Sequence, residues 1–98
     1  MKPYIGIVHH AEGSAYAITF PDAPGCFSAA DEAADVYLMA REALTLWAEG
    51  EVEDGRTIPP VRGLSRVLVD AAWAESLSDA AFLIAVEAPK ADAAPSSV

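Results

Sequence analysis

The first third of the chain alternates apolar and polar positions with a period of two. In Tyr4-Ile5-Gly6-Ile7-Val8-His9-His10, Ile5 and Ile7 fall on one face and Tyr4 and Val8 on the other. After the turn residues Glu12-Gly13, the run from Ser14 to Phe20 sends Tyr16, Ile18 and Phe20 one way and Ala15, Ala17 and Thr19 the other. Two such runs around a short Gly-containing turn predict an antiparallel hairpin. The period then lengthens. Ala33, Val36, Ala40, Ala43, Leu44 and Trp47 recur at helical spacing, which predicts one long amphipathic helix, N-capped by Asp31 and ending at Gly50. Glu32 and Asp35 place negative charge where the helix dipole is positive. Further on, Leu64, Val67, Leu68 and Ala71 predict a short second helix with Trp73 and Leu77 packing just after it, and the apolar run Ala81 to Val86 predicts a buried last strand.

Between hairpin and helix lies Phe20-Pro21-Asp22-Ala23-Pro24-Gly25-Cys26. Proline fixes φ and lacks an amide donor, and glycine reaches conformations closed to other residues, so this is a stiff, specified turn. Cys26-Phe27-Ser28 follows as a short third strand. Within the motif, Phe20 is assigned to the core, Pro21, Pro24 and Gly25 to the turn, and Cys26 to a small buried position; Asp22 is left as a candidate for binding. The expected order is β-β-β-α-(α)-β, an α+β domain over residues 1–88 with the helix packed on one face of a small, mostly antiparallel sheet. Residues 89–98 carry no large apolar residue except Val98 and read as a flexible tail.

Composition narrows the classes of function. The 98 residues suffice for one modest core, and 53% hydrophobic with 21% charged residues describes a folded chain. The formal net charge of −9 opposes a charge-driven grip on nucleic acid. Asp31 to Asp54 holds eight acidic residues against one basic, Arg41, and so concentrates seven of the nine net negative charges. That predicts either a solvated helix face or an acidic surface for a basic partner. Cys26 is the only cysteine, so no intramolecular disulfide can form and a reducing, cytoplasmic setting is expected. Neither a signal peptide nor a run of apolar residues long enough for a bilayer is present, and no membrane association is expected.

Catalytic chemistry finds little support. His9 and His10 are adjacent, face opposite ways on a strand and cannot share a metal. Asp22, Asp31 and Glu32 are available carboxylates, but the strand positions Ile5, Ile7, Tyr16 and Ile18 are apolar, so nothing supplies the central ligand of a metal-dependent nuclease. Cys26 lacks a base brought near it by any sequence feature. Neither enzyme activity, nor a metal, nor another cofactor is expected.

The motif Phe20-Pro21-Asp22-x-Pro24-Gly25-Cys26, then Ala40-Arg41-Glu42-Ala43-Leu44 with Trp47, then Asp54-Gly55 and Ile58-Pro59-Pro60, is similar to the HicB family of toxin-antitoxin antitoxins, over residues 3 to 87. The resemblance implies a degenerate RNase H-like fold and a partner, a small basic HicA-type toxin that cleaves RNA. It also implies a homodimer or higher oligomer, to which the open edges of a small sheet point independently. A basic ribonuclease face can be occupied by an acidic surface, for which Asp22, Asp35, Glu42, Glu49, Glu51, Glu53 and Asp54 are the candidates. Many members of the family continue into a DNA-binding module, whereas only twelve residues follow Val86 here, so no direct DNA binding is expected of this chain. The alternative is a free-standing oligomeric binding or scaffold domain without a cognate toxin.

Overall fold

Tyr4–His9 (β1), Tyr16–Thr19 (β2), Phe27–Ala30 (β3) and Phe82–Val86 (β4) form one sheet in the order β3-β2-β1-β4, with every pairing antiparallel. The computed structural model describes residues 2–87, and the expected tail at 89–98 lies outside them. A long helix, Val36–Glu53 (α1), covers one face. Two short helices, Leu64–Leu68 (α2) and Ala74–Ser78 (α3), lie between α1 and β4 in sequence.

Register decides which residues meet α1. Val8 stands opposite Ile18 and Phe82, and Tyr4 opposite Val86, so these side chains share one face of the sheet. There Tyr4, Val8, Ile18, Phe20, Val36, Ala40, Leu44 and Val86 form a continuous buried core. Gly6 belongs to the same face. A Cβ on it would lie 2.9 Å from Ile84 Cγ1 and 3.1 Å from Phe20 Cε1, so the missing side chain makes room for both. Ile5 and Ile7 point the other way and are also buried, as is Val67 of α2, which packs against β1. Ser76, in α3, offers its carbonyl to His9 Nε2 at 2.9 Å. β1 is therefore covered on both faces, whereas β2 and β3 are buried chiefly on the face toward α1.

Several expectations change. Asp31 caps nothing: the chain enters α1 through a 3₁₀ turn, Ala33–Asp35, and neither that turn nor α1 is capped by a side chain. Ala33 is exposed, and Ala48 joins Val36, Ala40 and Leu44 on the buried stripe. The helix also runs through Gly50. It stops at Asp54-Gly55, where Gly55 takes φ 79°, its N–H bonds Val52 O at 3.0 Å and the Arg56 N–H bonds Glu51 O at 2.9 Å. That pair of bonds is a Schellman cap, which needs a left-handed residue at the position after the C-cap; an interior glycine merely weakens a helix. Of the predicted second stripe only Val67 is buried, with Leu64, Leu68 and Ala71 exposed. A further helix, α3, occupies the segment of Trp73 and Leu77, both partly buried. β4 is an edge strand rather than a buried one, with Phe82, Leu83 and Ala85 exposed.

Candidate partner-binding surface

The Pro/Gly motif is fastened from two sides. Within it, Ala23 N–H bonds Phe20 O at 3.1 Å and Cys26 N–H bonds Ala23 O at 3.0 Å, so two turns follow one another, with Gly25 at φ 85°. From α1, Trp47 Nε1 donates to Pro24 O at 2.9 Å while its ring packs edge-on to Tyr4 at 6.2 Å. From the opposite direction, Arg62 donates its backbone N–H to Asp22 Oδ2 at 2.8 Å and its Nε to Asp22 Oδ1 at 2.6 Å. Arg62 also bonds Asp70 Oδ2 at 2.7 Å, and Asp70 Oδ1 accepts the Ala72 N–H at 2.9 Å. The Arg62 hydrogen bond first, and the Ala72 N–H second, hold the Asp70 carboxyl below its usual value.

This geometry assigns the motif to architecture. The Asp22 side chain is 3% exposed and its two oxygens are occupied by Arg62. Phe20 and Ala23 are in the core and Pro21 is partly buried. Cys26 is buried one residue before β3, and desolvation pushes its thiol up to about 11, leaving an unreactive neutral group. His10 stacks on Tyr16 at 3.9 Å and 9°. Among the described residues no three His, Cys, Asp or Glu side chains converge as a metal site, and no helix is long and apolar enough to cross a membrane.

The remaining acidic candidates separate into two groups. Asp35, Glu42 and Glu49 are spaced by seven, two helical turns, and with Glu53 they form an exposed ridge on the side of α1 away from Val36, Ala40, Leu44 and Ala48. Leu38 and Leu46 stand beside this ridge, 54% and 69% exposed. The second group is largely spoken for internally. Arg56 bonds Glu51 through Nε–Oε1 at 3.1 Å and a terminal nitrogen to Oε2 at 2.8 Å, and reaches Asp54 Oδ2 at 2.9 Å. Hydrogen bonding from Arg56 holds the Glu51 carboxyl below its usual value.

Sequence reasoning missed Arg56, Arg62 and the two leucines. Arg56 follows Asp54 by two residues and was legible as a local counter-charge. Leu38 and Leu46 were legible from their positions four before Glu42 and three before Glu49. Arg62 lies forty residues from Asp22 in sequence, and no local pattern links them.

A family model described as HicB-like antitoxin of bacterial toxin-antitoxin systems matches residues 4–95. A chain of the HicA3 and HicB3 toxin-antitoxin complex superposes with a TM-score of 0.69 at 27% identity, over 87% of this chain and 95% of that one. The Burkholderia pseudomallei antitoxin HicB gives 0.69 at 25% identity over 89% of this chain and 63% of its own, and the N-terminal domain of that antitoxin gives 0.66 at 25% over 86% and 94%. In sequence, an uncharacterized 14.9 kDa protein from the rep-hol intergenic region of Haemophilus phage HP1 is 43% identical over 44 residues. That stretch is 45% of this chain and spans about a third, 33%, of the phage protein.

Proposed function

The chain belongs to the HicB-like antitoxin family of bacterial toxin-antitoxin systems, and from that premise we propose that it binds and neutralises a HicA-type, RNA-cleaving toxin through the outward face of α1. The toxin must attract phosphate, so its working face is basic, and an acidic ridge interleaved with apolar side chains can cover such a face by charge and by desolvation together. The observation that carries this reading is the alignment of Asp35, Glu42, Glu49 and Glu53 on the solvent side of α1, with Leu38 and Leu46 beside them. These charges have no ion-pair partner among the described residues, whereas Glu51 and Asp54 already hold Arg56. The ridge is therefore the primary contact, and the Glu51/Asp54 cluster is peripheral to it. A similar chain sits in a toxin-antitoxin complex, which supports the class of partner. In this reading the chain does no chemistry of its own.

The test is titration of a HicA-type toxin from the same genome with the wild-type chain and with Glu42→Lys/Glu49→Lys, at low and moderate salt. Loss of about tenfold or more in affinity, a shallower salt dependence, and escape of RNA cleavage from inhibition are expected of the double variant. A Leu46→Ala variant should weaken binding without changing the salt dependence. Equal affinity and equal salt slope for wild type and double variant would remove α1 from the interface.

A further inference from the structure

Arg41 is the one cation in the acidic stretch from Asp31 to Asp54. Its side chain is exposed and, among the described residues, holds no carboxylate, whereas Arg56 and Arg62 each hold two. Helix spacing gives it no partner within α1. The positions three and four residues to either side are Tyr37, Leu38, Leu44 and Thr45, and the Thr45 hydroxyl donates to the Arg41 backbone carbonyl at 3.0 Å. Glu42 follows directly, but successive side chains lie about 100° apart round a helix and do not face each other. The unpaired cation nevertheless borders the acidic ridge. Leu38, Arg41, Glu42, Thr45, Leu46 and Glu49 line one shallow cleft of about 360 Å³ on the outward face of α1.

On the premise that the outward face of α1 is the toxin contact, we propose that Arg41 determines which basic toxin is accepted: the partner must set a carboxylate against Arg41, beside the cations that meet Glu42 and Glu49. In the free chain the guanidinium is solvated. A partner that covers the cleft removes that water, and Leu38 and Leu46 make the covered site apolar. A guanidinium left there without an acceptor costs free energy, and a partner cation placed against it costs more. A carboxylate accepts two parallel N–H bonds from the guanidinium fork and cancels its charge, which a hydroxyl or a backbone carbonyl does not. General attraction to basic proteins would be stronger without Arg41, because a cation subtracts from an acidic surface. Its effect is therefore on choice of partner: a face that presents only cations is rejected at this point, and one interrupted by a single carboxylate is accepted.

The experiment is titration of a HicA-type toxin from the same genome with wild type, Arg41→Gln, Arg41→Glu and Glu42→Lys/Glu49→Lys, each checked for retained fold by circular dichroism. Charge attraction alone makes Arg41→Glu bind more tightly, since it exchanges a cation for an anion on a face that meets a basic partner. The proposal requires the opposite sign: Arg41→Gln weaker by about threefold or more, and Arg41→Glu weaker by about tenfold or more. Surface Asp and Glu residues of the toxin are then replaced by Lys one at a time. One such change should weaken binding of wild type and bring Arg41→Glu back to within about threefold of the wild-type pair. Arg41→Glu binding as tightly as wild type or more tightly, or the lack of any restoring toxin substitution, overturns the proposal while leaving the ridge in place. If Glu42→Lys/Glu49→Lys binds like wild type, the ridge is not the contact and both readings fall.

Discussion

Arg62 closes on Asp22 with both its backbone amide and its guanidinium, at 2.8 and 2.6 Å, and so locks the Pro/Gly turn to the segment that covers the far face of β1. Asp22→Ala removes both acceptors at once. The Arg62 side chain is 38% exposed and its guanidinium can recover water, whereas its backbone N–H loses the Asp22 Oδ2 acceptor at a part-buried position. A loss of about 2 kcal/mol is expected, near the middle of the range for breaking a hydrogen-bonded charged contact of this kind, or about 10 °C in Tm. Asp22→Asn keeps one acceptor and should lose about half as much. Urea unfolding of the two variants checks this, and a shift below about 0.5 kcal/mol for Asp22→Ala would show the clasp to be dispensable.

The two glycines near the end of α1 should respond oppositely to alanine. Gly50 is interior to the helix, and the space an alanine methyl group would occupy is open, so Gly50→Ala should stabilise by about 0.5–1 kcal/mol. Gly55 sits at φ 79°, so Gly55→Ala should destabilise by about 1 kcal/mol. Thermal melts read both signs directly, and two shifts of the same sign would place the helix end elsewhere.

Gly6→Ala should cost about 1–3 kcal/mol, because the new Cβ meets the Phe20 ring and the Ile84 side chain at 3.1 and 2.9 Å in a packed core. Combining it with Ile84→Ala, which removes both Cγ1 and Cδ1, should cost less than the sum of the two single changes. Strict additivity of the two changes in a double-mutant cycle would argue against this contact.

Cys26 should react with a thiol reagent only as fast as the chain opens. Its folded pKa, raised to about 11 from 9.0 by burial, means that the neutral thiol is favoured in the fold. The stability linked to it is intact below pH 9 and is lost as pH rises toward 11, where the unfolded chain ionises first. Cys26→Ala should flatten that alkaline limb of the stability profile. An unchanged slope between pH 9 and 11, or rapid labelling of the native protein at pH 8, would contradict it.

Acid should act on the other end of the clasp. Asp70 is lowered by its bond from Arg62, so its contribution is present above the ordinary carboxylate range, near pH 4, and is lost as pH falls through the folded value. Asp70→Asn should make acid unfolding less steep, and an identical acid limb would exclude the linkage.

What the sequence determined by itself was what local chemistry determines. Period-two alternation set the hairpin and its inward face of Tyr16, Ile18 and Phe20; the i, i+4 stripe through Val36, Ala40 and Leu44 set the helix face; and the order of motifs from Phe20 to Pro60 carried the family. Where the helix stops was open to misreading, because Gly50 and Gly55 look alike in sequence and differ only in the backbone angle each must adopt. Tertiary structure alone decided the rest. Asp22, a binding candidate in sequence, is enclosed by Arg62 from forty residues away. The acidic run divided into a free ridge and an Arg56-bound cluster only once the helix gave each side chain a direction. β4, as apolar in sequence as a core strand, is an edge because among the described residues it pairs with β1 alone. The division has one physical cause: periodicity and turn chemistry act between neighbours in sequence, whereas burial, ion pairing and strand order depend on which distant segments arrive at the same place.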